Sequence, residues 1–571
     1  MMDALRAYFE PILTWAGWDW LRLTPATPPI SGNIFSFAEY LAALALLLVV
    51  LSASDFRFRY RLSVTRLNLR ITGFWVGLGI GFSILVIDVW FQNGLPIPKF
   101  LNNANNLKAI LGFVFLAFVF KVMAVALIRP QRFRSSNAEQ FLAVNYHFIH
   151  EGNPERLQVI AEELRDSARW IVACAAKYPD REHDSSKATI QQQCAINLLL
   201  LIGDIRFCRV VVEKVPTLAF VFFEEAHKYR NRHLPIYQFC RNIGQEFIRN
   251  ESSSFYQENG SFYSGLLGYT RPVSNTIFGN YEFVEKCAAD GASPLDMDFV
   301  SISGFTARQM EAYSRAALAF LESNLKATRG LSHPHSYALA RLLSSMDHAL
   351  YGLSSLNDSQ DYLTSDAYGR LKAVVSFVEK AIELAENYAK KPVKLTGAKR
   401  DKDQLRQQDI FDKLAGLIFE IVLAASDVSS PAWAAWTVQH NSTWGQIFGL
   451  RKTKAAEIIR LRLQRLMYEE IVRMSVTPNF KGARILGYCL NVLGLTLPDR
   501  RKGYGREFYP LQLMALRWVK TNYRKLLNDH PNVAAACILG SVSYDAEHHR
   551  LVSTDFSKIR KEPNREYFEL D

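Results

Sequence analysis

The chain has 571 residues and a formal net charge of +12, and its seven cysteines stand singly without a CxxC pair. That thiol pattern excludes a disulfide scaffold or a zinc module and fits a reduced compartment. The charge is not evidence for nucleic acid by itself, because residues 1–134 hold 13 Lys+Arg against 6 Asp+Glu, a net of +7 with the character of a membrane topology signal.

Residues 1–33 cluster Trp15, Trp18, Trp20 and Leu21, with Phe9 and Leu13 before them. They lack the basic start and compact apolar run of a cleavable signal peptide. We read an amphipathic segment on the outer face, tryptophans at headgroup depth; a cap folded over a pore mouth is the alternative.

Residues 34–134 hold three apolar segments, about Ile34–Ala53, Ile71–Phe91 and Lys108–Ile128. Each approaches the roughly 20 residues that cross a hydrocarbon core. The first loop carries Arg57, Arg59, Arg61, Arg66 and Arg70 against Asp55, and Arg129, Arg132 and Arg134 follow the third segment. The second loop holds Lys99 as its one charge. Positive flanks stay in the cytosol, so the pattern predicts three crossings of an inner (plasma) membrane, N-terminus outside and the bulk of the chain cytoplasmic.

Gly73, Gly77 and Gly81 recur every four residues and form one small-residue face, suited to packing within a subunit or to a seam between subunits. Glu39, Asp88 and Lys121 are charges inside the segments. In an oligomer the two acids could ring an outer pore mouth; alternatively all three reach the headgroups.

Residues 135–389 read as a helical cytosolic domain. Asn153-Pro154 is a cap followed by proline at the first helical position, and apolar residues at helical spacing run from Leu157 to Ala175. Cys194–Val212 predicts one buried core helix, since Asp204, Arg206 and Arg209 argue against a fourth span. Glu224 and His227 are one turn apart, a weak metal pair. Glu251–Pro294, rich in Gly, Ser, Asn and aromatics, predicts an irregular, ordered insertion. Thr306-Ala-Arg-Gln309 is a capping box, Tyr337–Tyr351 a further helix, and Ser365 opens a long one.

Residues 390–530 read as a basic helical subdomain after the linker Lys390–Lys402; residues 390–525 hold 25 Lys+Arg and 11 Asp+Glu, a net of +14. Such a block suits an anionic partner or pairing within the protein. Trp433, Trp436 and Trp444 fall in a loop-like stretch, and Arg451–Met474 predicts a long helix. Candidate ligand-binding residues are Arg451, Lys452 and Lys454 at its start, and Arg500, Arg501, Lys502, Tyr504 and Arg506 in PDRRKGYGR. Glycines there let a backbone approach a phosphate and the tyrosine can stack on a base, although no phosphate-loop motif is matched. Residues 531–571 predict a hairpin around Asp545-Ala546 and a polar tail.

The expected fold class is mainly α: three N-terminal transmembrane helices, a large all-helical cytosolic region and a short C-terminal β-hairpin. No catalytic motif, cofactor signature or metal cluster is found, so no enzyme, cofactor or metal is expected. In layout the chain resembles membrane effectors of bacterial anti-phage systems, in which a few N-terminal spans carry a large cytosolic sensing domain. The resemblance implies a homo-oligomer in the lipid bilayer, a pore or ion channel in antiviral defence gated by a nucleotide or oligonucleotide, and a partner protein from the same operon. A membrane-tethered scaffold or receptor without conduction, or a membrane-bound enzyme with a dispersed site, are the alternatives.

Overall fold

The computed structural model describes residues 23–25, 36–53, 55–65, 69–98, 103–125, 131–178, 188–258, 263–264, 268–269, 271–330, 336–357, 361–391, 409–449, 452–498, 506–555 and 564–571. These are mainly helical, with short strands. Contacts divide the chain into two compact units: residues 1–202 with 232–234, and residues 203–231 with 235–571.

In the first unit the apolar segments become α1 (Phe37–Ala53), α3 (Leu69–Gln92) and α4 (Ala104–Met123). Ser36 and Glu39 start α1 as a capping box: the Glu39 carboxylate accepts from the Ser36 N–H at 2.7 Å and the Ser36 hydroxyl from the Glu39 N–H at 3.2 Å. Asn103 caps α4 through the Asn105 N–H at 3.0 Å. Among the described residues two helices, not three, are long and apolar enough to cross a membrane, Ile71–Gln92 and Ala104–Met123. α1 has 17 residues, about 26 Å at helical rise, and starts after the Ser36 cap; Ile34 and Phe35 of the predicted segment lie outside the described residues.

Tyr40 of α1, Ile80 and Ile84 of α3 and Phe115 of α4 form the core of these three helices. At one end, strand β1 (Leu23–Pro25) pairs antiparallel with β2 (Pro96–Pro98) in the α3–α4 connection, above a second cluster of Phe91, Ile97 and Ala104. At the other end, the arginine-rich stretch expected as a loop is an eight-residue helix, α2 (Phe56–Ser63). The rest of the unit is α5 (Ala138–Glu151), α6 (Pro154–Arg165), α7 (Ala168–Ala175) and α8 (Ile190–Leu201). Asn153 caps α6 as its sequence implies, accepting from the Glu155 and Arg156 N–H groups. The apolar run Leu157–Ala175 is two helices rather than one, broken at Ser167, whose buried hydroxyl accepts from the Phe133 N–H at 3.2 Å.

Cys194–Val212 is also split. The second unit starts at α9 (Ile205–Lys214), capped by Asp204, which accepts from the Arg206 and Phe207 N–H groups; this competing cap interrupts the run. α10 (Pro216–Lys228) and α11 (Tyr237–Arg249) follow. The predicted irregular insertion is largely helical. It contains Ser254–Gln257, a wide-turn segment Ser274–Phe278 and α12 (Tyr281–Asp290), beside the two-residue strands β3 (Tyr263–Ser264) and β4 (Gly268–Tyr269). Its pieces before α12 are too short to show a helical period in the sequence.

The centre of this unit is α13 (Ala307–Thr328) packed along α15 (Asp366–Tyr388), with α14 (Tyr337–His348) and α16 (Ile410–Ala425) beside them. The capping box is present: the Thr306 hydroxyl accepts from the Gln309 N–H and the Gln309 side chain from the Thr306 N–H, both at 3.1 Å. α17 (Lys454–Arg473), α18 (Phe480–Leu493) and α19 (Tyr509–Asp529) complete the helices. The tryptophan stretch is helical, with Ala432–Trp436 running into a wide-turn segment Thr437–Gly445; Trp444 packs on Phe508 at 4.6 Å. The linker from 392 to 408 lies outside the described residues, and the helices on either side of it, α15 and α16, pack on each other. At the C-terminus β5 (Val542–Asp545) and β6 (Arg550–Asp555) form the expected hairpin, and the tail adds a third strand, β7 (Asn564–Glu569), on β6. Arg550 lies over the Tyr567 ring at 4.3 Å, a contact a polar-tail reading omits.

Thr306→Ala removes the hydroxyl acceptor of the capping box. It is expected to cost on the order of 1 kcal/mol locally, read as amide exchange at residues 307–310 rising about fivefold.

Candidate functional site

The most elaborately bonded element of the first unit is the elbow α2, which joins α1 to α3. Its sequence, FRFRYRLS, alternates aromatic and arginine residues. On a helix this places Phe56, Tyr60 and Ser63 along one side and Arg57 and Arg61 along the adjoining one. Phe56 meets the Phe148 ring of α5 edge-on at 4.9 Å, with the Arg156 guanidinium 5.5 Å from its centroid. The buried Tyr60 hydroxyl donates to Asn145 Oδ1 of α5 at 3.1 Å. Gln140 Nε2 donates to the Ser63 carbonyl at 3.0 Å.

The arginines reach α6. Arg61 Nε lies 3.0 Å from both Glu163 oxygens and a terminal nitrogen lies 2.7 Å from Oε1. Arg57 bonds Glu162 and approaches Glu163 at 3.7 Å. Arg61 and Glu163 are 12% and 6% exposed, so each depends on the other for its solvation. Burial pushes the Tyr60 hydroxyl well above the usual phenol range; the Asn145 bond opposes this and the Glu163 charge adds to it. Tyr60 therefore remains a neutral donor in any physiological medium. The elbow is a latch: two ion pairs and two hydrogen bonds that bind the α1–α3 connection to α5 and α6.

The sequence treats Arg57 and Arg61 as a topology signal only and passes over Glu162, Glu163 and Asn145. One sign is present. Glu163 falls among Ile160, Ala161 and Leu164 on the buried side of α6, where an acid needs a partner.

The residues proposed for a pore or an oligomer seam are used within the chain. Glu39 caps its own helix. Asp88 of α3 forms an ion pair with the buried Lys108 of α4. Within the chain, Glu39 is thus engaged with the start of its own helix and Asp88 with Lys108. The glycine face receives the chain's own aromatics: the Tyr40 hydroxyl donates to the Gly77 carbonyl, and a Cβ on Gly81 would lie 2.8 Å from the Tyr40 ring, one on Gly73 3.2 Å from Phe118. The face is packed against residues of the same chain. Lys121 is exposed in the last turn of α4.

Several cations of the basic block are paired within the protein. Arg462 pairs with Asp409 and Asp412, Lys481 with Glu420, Arg484 with Asp427 and Arg460 with Glu507. Arg465 pairs with Glu469, Arg473 with Glu470 and Lys520 with Asp571. Arg451, Arg500, Arg501, Lys502 and Tyr504 lie outside the described residues. Lys452 and Lys454 are exposed at the start of α17, and Arg506 is exposed in the turn that touches α17 through Gln464, whose amide donates to the Glu507 carbonyl at 2.9 Å. Glu224 and His227 gain no third metal ligand among the described residues. No family model, curated protein or solved structure matches this chain.

Glu163→Ala leaves Arg61 enclosed without its counter-charge and is expected to weaken the latch by about 3 kcal/mol. Amide exchange across residues 57–63 should then rise about a hundredfold. The double replacement Arg61→Met with Glu163→Met should recover much of the loss, since neither charge is then stranded.

Proposed function

We propose that the chain is a bilayer-anchored helical effector, in which the apolar helices cross the membrane and the elbow α2 transmits rearrangements of α5 and α6 to them. The observation that carries the reading is the inverted surface of α3 and α4. Phe74, Phe82, Phe113 and Phe120 are 63–73% exposed, with Trp75 and Leu78 beside them, while Lys108 is buried and paired with Asp88. An exposed apolar face this large is costly in water and stable against lipid tails.

In this reading α1 is the third crossing. The β1–β2 pair lies on the outer side and α2 on the cytosolic side, which agrees with the arginine flanks. An oligomer with an ion path is the extension of the reading. It would use outward positions such as Gly79, where an added Cβ would meet nothing within 4 Å among the described residues, rather than Gly73, Gly77 and Gly81. Antiviral defence and an inner-membrane location rest on the resemblance of layout.

Two measurements test the proposal. The chain is expected to remain in the membrane pellet at alkaline carbonate pH. A Thr24→Cys variant should react with a membrane-impermeant maleimide on intact cells, whereas Arg59→Cys should react only after permeabilisation. Release by carbonate, or the opposite labelling pattern, would remove the anchored reading. Planar-bilayer current that is lost in Glu163→Ala would support the ion path; silence of the wild-type chain would restrict it to a tether.

A further inference from the structure

The elbow α2 is the meeting point of three stretches of the first unit. It lies between the end of α1 at Ala53 and the start of α3 at Leu69, which on the anchored reading is the cytosolic boundary. Gln140, in the first turn of α5, holds the Ser63 carbonyl. The turn just before α5 is closed by Asn137, whose Oδ1 accepts from the Arg134 N–H at 2.9 Å and whose amide donates to the Arg132 carbonyl at 3.1 Å. The Phe133 N–H of that turn bonds Ser167, the residue before α7. The end of α6 is drawn to the same corner by Arg61 on Glu163.

The cations brought together there are all arginines. Residues 55–70, 129–140 and 162–170 hold ten arginines, no lysine and five acids. Some of this charge is cancelled: Arg57 and Arg61 engage Glu162 and Glu163, and Arg165 lies 3.7 Å from Asp166. Arg59, Arg132, Arg134 and Arg169 are exposed, and their side chains make no ion pair or hydrogen bond among the described residues. The acids that remain against these four are Asp55 and Glu139, both exposed. An excess of positive charge is therefore left on the surface of the corner.

Two features match that surface to a phospholipid. A topology signal is served by lysine and arginine alike, whereas a guanidinium gives a phosphate two parallel N–H donors and is the more easily stripped of water. Beside Arg169, the Trp170 side chain is 48% exposed, while Ala168, Ile171 and Val172 bury the other side of α7. An indole with an apolar body and one N–H is suited to headgroup depth.

We propose that this corner binds anionic phospholipid headgroups of the cytosolic leaflet, their phosphates on Arg59, Arg132, Arg134 and Arg169 and the Trp170 ring among them. Because Arg59 is on α2 itself, bound lipid braces the elbow from the membrane side, opposite the latch to α5 and α6. The inference rests on the anchored reading and adds to it the class of lipid that the anchor selects.

The test reconstitutes the full chain in phosphatidylcholine vesicles and compares how strongly it immobilises spin-labelled phosphatidylglycerol and spin-labelled phosphatidylcholine. A preference for phosphatidylglycerol of about fivefold is expected, falling toward parity in about 1 M salt. The four side chains are exposed and unbonded, so Arg59→Gln, Arg132→Gln, Arg134→Gln and Arg169→Gln combined should leave the fold intact. That variant should immobilise phosphatidylcholine as the wild type does and lose most of the preference. Glu139→Gln, which removes an opposing charge, should raise it. Equal immobilisation of the two lipids by the wild-type chain, or a preference that survives the combined replacement, would overturn the proposal and leave the anchor standing. Immobilisation of neither lipid would overturn the anchored reading and this proposal together.

Discussion

The Arg61–Glu163 ion pair is the contact on which the first unit depends. It is nearly closed off from solvent, and three nitrogen–oxygen approaches within 3.0 Å share one carboxylate. A pair of this kind adds less to net stability than its geometry suggests, because both charges leave water. What it supplies is position. With Tyr60 on Asn145, it allows α2 one seat on α5 and α6, and a displacement of those helices has to move the elbow or expose an unpaired charge. The same side chains can thus serve as anchor and as lever.

Much of the helical framework is legible in the sequence because caps are local. Asn153, Thr306 and Ser365 each begin a helix where their hydroxyl or amide meets the following backbone. What the sequence hides is competition. The apolar run through Cys194 continues in composition past Gly203, yet Asp204 closes a new cap and divides it. Around Ser254–Phe278 and Ala432–Phe448 the helical pieces are a few residues long or wide-turned, so no 3.6-residue period accumulates. The third C-terminal strand is missed for a related reason: its outward residues are polar and its partner strand lies about a dozen residues away.

The functional residues follow a harsher rule. Charge counting places 25 basic residues between 390 and 525, and the structure spends many of them on acids of neighbouring helices, such as Asp409, Glu420 and Asp427. Net charge along a chain does not reveal pairing across space. The elbow arginines were visible, but their role needed Glu162 and Glu163, about a hundred residues on.

The pairing of Asp88 with Lys108 bears on how the protein is made. Each side chain alone would carry a full charge toward hydrocarbon, which opposes entry of either helix by itself. Joined, the two charges offset each other at the end of the hairpin where the short connection between α3 and α4 lies. On the anchored reading, the translocation machinery would then release the two helices into lipid together, and synthesis of α4 would complete the permit for α3 to leave.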